Sequence, residues 1–150
     1  MISIREANPG DLALVCAWND ALARESENKR LDPDALARGV RRVLDDSALG
    51  RYFIAEIGGV PAGQMMLTRE WSDWRDGMFW WIQSVFVAPE FRGSGVFRAL
   101  YRHVEGLAAT DGHVCGLRLY VHDSNQRAIE VYKRLGMVDA DYRVMETAPE

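Results

Sequence analysis

The sequence predicts a mixed fold of α+β arrangement, a class that α/β schemes would also accept. Three observations lead there. Short alternating strand patterns are punctuated by glycine turns, amphipathic helical segments lie among them, and twice a strand runs through a short loop straight into a helix. At 150 residues and 48% hydrophobic content the chain suits one domain, 1–150, with a sizeable core.

Each element has a local reason. Residues 2–6 alternate as a first strand, and Pro9-Gly10-Asp11 precedes a helix running to about Glu25 with Leu12, Val15, Cys16 and Leu22 on its apolar side. Asp32-Pro33-Asp34 starts a second helix that ends near Asp46. Strands at 51–57 and 61–69 flank a Gly58-Gly59 hairpin turn. The next hairpin turns at residues 72–77 and returns from Met78 to Val87. Pro89 cannot donate to a ladder and stops that strand. Gly93 and Gly95 then let the backbone approach a ligand closely, and a helix opens at Val96 with Ala99, Leu100, Val104, Leu107 and Ala108 at helical spacing. Residues 117–122 alternate as a further strand. Asp123-Ser124-Asn125 caps a helix carrying Ala128, Ile129, Val131, Tyr132 and Leu135, and Gly136 ends it ahead of a last strand.

Composition narrows the function classes. Net charge is −4 with basic residues scattered, which removes the electrostatic basis for broad nucleic-acid binding. No apolar run approaches the roughly 20 residues that span a bilayer, and the N-terminus lacks a signal-peptide core, so a cytoplasmic location is expected. Cys16 and Cys115 have no metal spacing and sit in apolar patterns, which predicts two buried thiols, no disulfide and no metal.

The loop from Val85 to Arg98 favours an anion. Free amides and the positive end of a helix dipole meet there, with Arg92 and Arg98 adding charge. No P-loop string is present, and Phe97 and Arg98 break the dinucleotide fingerprint. The segment resembles the acyl-CoA pyrophosphate loop of the GCN5-related N-acetyltransferases, Arg/Gln-x-x-Gly-x-Gly/Ala. Arg92 and Gly95 match it, whereas Phe97 replaces the last small residue. The string Asn125-x-x-Ala128-x-x-x-Tyr132-x-x-x-Gly136-Met137 is similar to the family's second signature.

The resemblance implies a mostly antiparallel sheet of about six or seven strands flanked by about four helices. It also implies acetyl-CoA as cofactor, held by Val85, Phe86 and Val87 through main chain, by Arg92, Gly93, Ser94, Gly95, Val96, Phe97 and Arg98, and by Asn125, Ala128 and Tyr132. The family's reaction is attack of an amine on a thioester. A thiol of pKa about 8.5 leaves more readily if protonated, and Tyr132 holds the family's position for that acid. An alkyl amine of pKa about 10.4 must lose a proton at neutral pH, so a base is useful. The strand around Gln83 offers no carboxylate, which leaves His122 and Glu70 as candidates, each also readable as a surface residue.

On the acceptor side, Glu25 and Glu27 end the first helix, and Trp71, Trp74, Trp80 and Trp81 make four of the five tryptophans. Aromatic faces beside carboxylates suit a cationic amine, so Glu25, Glu27, Trp71, Trp74 and Gln83 are candidate acceptor residues. Trp80 and Trp81 are assigned to the core or to a homodimer interface. The expected activity is N-acetylation of a small-molecule or peptide amine. A non-catalytic acyl-CoA sensor and acylation of a protein lysine or an aminoacyl-tRNA are the alternatives.

Overall fold

The structure is a computed structural model that describes residues 1–149. The chain forms two compact units, the first Met1–Leu119 and the second beginning at Tyr120.

The first unit is built on a five-stranded sheet with strands in chain order: β1 (Ile2–Glu6), β2 (Arg51–Ile57), β3 (Val60–Ser72), β4 (Gly77–Val87) and β5 (Val114–Leu119). The first four pair antiparallel, and β5 alone runs parallel to its neighbour β4. Helices α1 (Leu12–Glu27) and α2 (Pro33–Asp45) follow β1, and α3 (Val96–Asp111) links β4 to β5. Local chemistry explains their starts. Asp32 accepts from the amides of Asp34 and Ala35 with Pro33 in the first turn, and α1 follows a 3₁₀ turn capped by Asn8.

Strand alternation divides the sheet into two faces. Tyr52, Ile54 and Phe86 pack with Val15, Trp18 and Val40, so one face belongs to α1 and α2. The other belongs to α3: the Phe53 ring meets His103 edge-on at 5.3 Å, and Gly63 lies under Val96. Asp11 is tied to β1 through a two-point ion pair with Arg5, both bonds 2.8 Å.

The second unit holds α4 (Gln126–Arg134), capped by Asn125, whose side chain accepts from the Ala128 amide at 3.2 Å. Lys133 and Arg134 close its last turn before Gly136 at φ +95°.

Five expectations are corrected. The described residues form five strands, not six or seven. The fifth strand spans Val114–Leu119, three residues earlier than 117–122, because its limits come from its partner: it pairs with Met78 through Ile82 of β4 and stops there. His122 therefore lies in a turn and not at a strand end. No strand forms after Gly136 among the described residues; Val138, Tyr142, Val144 and Met145 are exposed, and alternation without a ladder does not make a strand. The two thiols are free as expected but not buried, Cys16 being half-buried and Cys115 exposed on a strand paired only on its β4 side.

Candidate active site

The site centres on the last third of β4. Its ladder to β5 ends at Ile82↔Leu119, so Gln83 to Val87 run on with no β5 partner. Toward β3 the register jumps from Met66↔Gln83 to Gln64↔Phe86, which places an extra residue on β4. Ser84 sits in that bulge at φ +51°. The Ala88 amide donates to Ala62 of β3 at 2.8 Å, so alternation turns the Val87 N–H and C=O toward the open edge. Without the extra residue Phe86 would face outward instead.

Beyond Val87 a 3₁₀ turn at Pro89–Phe91 leads to the glycine loop. Gly93 and Gly95 adopt φ +82° and +83°, a region that disfavours side chains. Gly95 is the N-cap of α3 and supplies no side-chain cap, so the first-turn amides are left to a ligand or water. The helix starts at Val96 as expected, and Phe97 leaves that start unshifted by lying along its own helix, 6.1 Å from the Tyr101 ring.

Arg92 joins two expected sites. Its Nε donates to the Val87 carbonyl at 3.0 Å, its Nη2 bonds Glu25 at 2.8 Å, and its guanidinium lies over Phe86. The residue expected on the cofactor is thus already paired with one expected on the acceptor. Arg98 is exposed on the first turn of α3, and Glu27 pairs instead with Lys29 at 3.7 Å.

The sheet face that carries α1 and α2 also bears Thr68, Glu70, Trp81, Gln83 and Arg118. Glu70 accepts from the Trp81 indole at 2.9 Å and faces Arg118 at 3.5 Å. Arg118 lies 3.6 Å over the Phe79 ring, a closeness that Gly116 permits because a Cβ there would meet that ring at 2.8 Å. Gln83 donates to the Thr68 hydroxyl. Trp71 is not part of this group: it pairs with Met78 on the α3 face and walls a cavity of about 190 Å³ with Arg69 and Trp80. Trp74 is 87% exposed at the hairpin tip, whereas Trp80 is core.

In the second unit, Asn125 and Ala128 open α4 and Tyr132 follows one turn after Ala128. Burial pushes the Tyr132 phenol above its ordinary value. His122 Nδ1 is engaged locally by the Ser124 hydroxyl at 2.8 Å and amide at 3.2 Å.

Three residues escaped the sequence reading: Asn19, Gln64 and Gly63. Asn19 Nδ2 donates to the Tyr52 hydroxyl at 3.2 Å, and Gln64 Nε2 donates to both Asn19 Oδ1 at 2.8 Å and the Ser84 carbonyl at 3.0 Å. Burial raises the Tyr52 phenol above its usual value, opposed by the Asn19 contact. A Cβ on Gly63 would stand 2.8 Å from both the Phe86 carbonyl and Val96. The available signal was a Gly-Gln pair inside the apolar run 60–67.

The strand edge, the bulge and the glycine loop lie within the stretch of sequence, residues 14–137, that matches the Acetyltransferase (GNAT) family. The chain belongs to that family and is an acyltransferase. It is 29% identical to a thialysine N-epsilon-acetyltransferase of Bos taurus over 151 residues, covering 92% of this chain and 85% of the relative. A solved structure of a possible acetyltransferase from Clostridium difficile 630 is 39% identical, with a TM-score of 0.93 over 100% of this chain and 99% of that one. A crystal structure of a predicted acetyltransferase with acetyl-CoA, from Clostridium acetobutylicum, shares the fold at 18% identity, with a TM-score of 0.78 over 98% of this chain and 96% of that one.

Proposed function

We propose that the protein transfers an acetyl group from acetyl-CoA to a primary amine by direct attack, with residues 1–150 acting as one transferase domain. The observation that carries this reading is β4: it outlasts β5, bulges at Ser84 and feeds a loop of left-handed glycines into the uncapped start of α3.

Acetyl-CoA supplies the activated acyl carbonyl and the thiolate leaving group. The residues present fit it. First-turn amides of α3, with Arg92 and Arg98, favour diphosphate oxygens, and the open edge of β4 offers unpaired peptide groups to an amide-bearing arm. The Val87 N–H is the donor turned toward that edge, and such a donor stabilises a carbonyl oxygen that gains charge. Tyr132 holds a proton for the departing thiolate, and its burial keeps that proton in place at neutral pH. Thr68, Gln83, Glu70 and Trp81 supply hydrogen bonding and charge beside the strand for the acceptor.

The thialysine N-epsilon-acetyltransferases among the relatives make ω-amines of amino acids the first acceptors to try. The test couples a thermal shift with acetyl-CoA to thiol release over a panel of amino acids, polyamines and peptides. Stabilisation with amine-dependent thiol release is expected. Stabilisation without release would make the protein a sensor, and no stabilisation would reject the reading.

A further inference from the structure

Gln64 is fully buried on β3, yet its Oε1 has no hydrogen-bond partner among the described residues. Burying an unmatched acceptor lowers stability, and an apolar residue of similar shape would avoid that cost. The other end of Gln64 does something definite. The Ser84 carbonyl can only accept, so the Gln64 end facing it at 3.0 Å is the nitrogen. The same nitrogen donates to Asn19 Oδ1 at 2.8 Å, which leaves Asn19 Nδ2 to reach the Tyr52 hydroxyl at 3.2 Å. Gln64 of β3 thereby grips the carbonyl of the one residue that β4 has in excess, and Asn19 of α1 holds Gln64 in place.

From this geometry we infer that Asn19 and Gln64 are positioning residues, which hold the Ser84 bulge and so aim the Val87 amide at the open edge of β4. The extra residue decides whether Phe86 or Val87 points outward, because a slip of one residue exchanges the two sides of a strand. A left-handed serine is not a backbone state that its own side chain favours, so something outside the strand must select it. The Gln64 amide is the side chain bonded to its carbonyl. The same helix supplies Glu25 to Arg92, whose Nε holds the Val87 carbonyl at 3.0 Å. Helix α1 therefore reaches β4 on both sides of Phe86, through Gln64 to the Ser84 carbonyl and through Arg92 to the Val87 carbonyl. This role rests on the acetyl-transfer reading above only for its catalytic consequence; the holding of the bulge stands apart from it.

Two measurements separate the parts. In ¹⁵N-labelled protein without ligand, Gln64→Leu is expected to shift the Ser84, Val85 and Val87 amide resonances. Asn19→Asp, which still accepts from Gln64, is expected to leave them in place, and Asn19→Leu to displace them. With acetyl-CoA and an amine that the unaltered protein turns over, Gln64→Leu should lower kcat by about tenfold or more. The KM for acetyl-CoA should stay within about threefold. Should Gln64→Leu fail to fold, Asn19→Leu carries the same readouts. Unmoved amides in Gln64→Leu and Asn19→Leu, or a kcat loss matched by an equal loss of acetyl-CoA affinity, would overturn the inference. Absence of turnover in the unaltered protein would count against the acetyl-transfer reading, and the resonance shifts would still decide the holding of the bulge.

Discussion

At the scale of single residues, the pairing of Arg92 with Glu25 has a measurable consequence. Glu25 occupies a guanidinium nitrogen that would otherwise be open to phosphate oxygens, and both side chains are about half exposed. Exposed pairs of this kind are worth roughly 0.2–1 kcal/mol, so Glu25→Gln should tighten CoA binding by up to about fivefold in calorimetry. Looser binding would mean that Glu25 orients Arg92 more than it competes for it. Tyr132 makes the complementary case. Desolvation raises its phenol, so the protonated acid is present through neutral pH and is lost only above the ordinary tyrosine value of about 10. Tyr132→Phe should lower kcat by about a hundredfold with acetyl-CoA affinity unchanged, and should remove the alkaline limb of the pH profile. An unaltered kcat under conditions where chemistry limits the rate would take Tyr132 out of the mechanism.

At the scale of elements, close approach and ion pairing fix where β1, β3, β4 and α3 meet. Gly63 sits where any Cβ would be 2.8 Å from the Phe86 carbonyl and from Val96, so β3, the site strand and the start of α3 all converge on its missing side chain. Gly63→Ala should cost about 1–3 kcal/mol in denaturant unfolding and weaken acetyl-CoA binding as well, since the displaced parts are those that would hold it. Asp11 does similar work at the start of α1. Its hydrogen bonds from Arg5, then from the Asn8 amide, hold its carboxyl below the usual aspartate range against the opposing effect of burial. A lowered folded-state value means that the stabilisation is complete above the ordinary carboxylate range and is lost as pH falls through the Asp11 value. Asp11→Asn should therefore flatten the acid side of the stability curve, with the two proteins converging at low pH. A constant gap across that range would show that the ion pair contributes nothing.

At the scale of the whole molecule, a ligand that binds only the folded chain raises its stability by mass action. Acetyl-CoA at about a hundred times its dissociation constant should add about 2.7 kcal/mol, read as a concentration-dependent melting temperature. Arg92→Ala should reduce that shift without lowering the melting temperature of the free protein much, because its pair with Glu25 is exposed. A shift that survives unreduced would place the phosphate contacts on the α3 amides alone.

What the sequence by itself determined is what neighbouring residues decide among themselves. The starts of α2, α3 and α4, the Gly58-Gly59 turn, the left-handed glycines of the loop and the two family signatures were legible because caps, turns and glycine φ values are local. The family itself followed from those strings. Tertiary structure decided everything that depends on register. It set the end of β5 by the reach of β4, moved His122 out of a strand, and gave Trp71 the face that α3 covers. It also brought Glu25 to Arg92 and Gln64 to Ser84 across long stretches of chain. The physical reason is that a ladder counts residues from its partner strand, so one extra residue at Ser84 reverses every later side of β4, and no window along the sequence contains that partner.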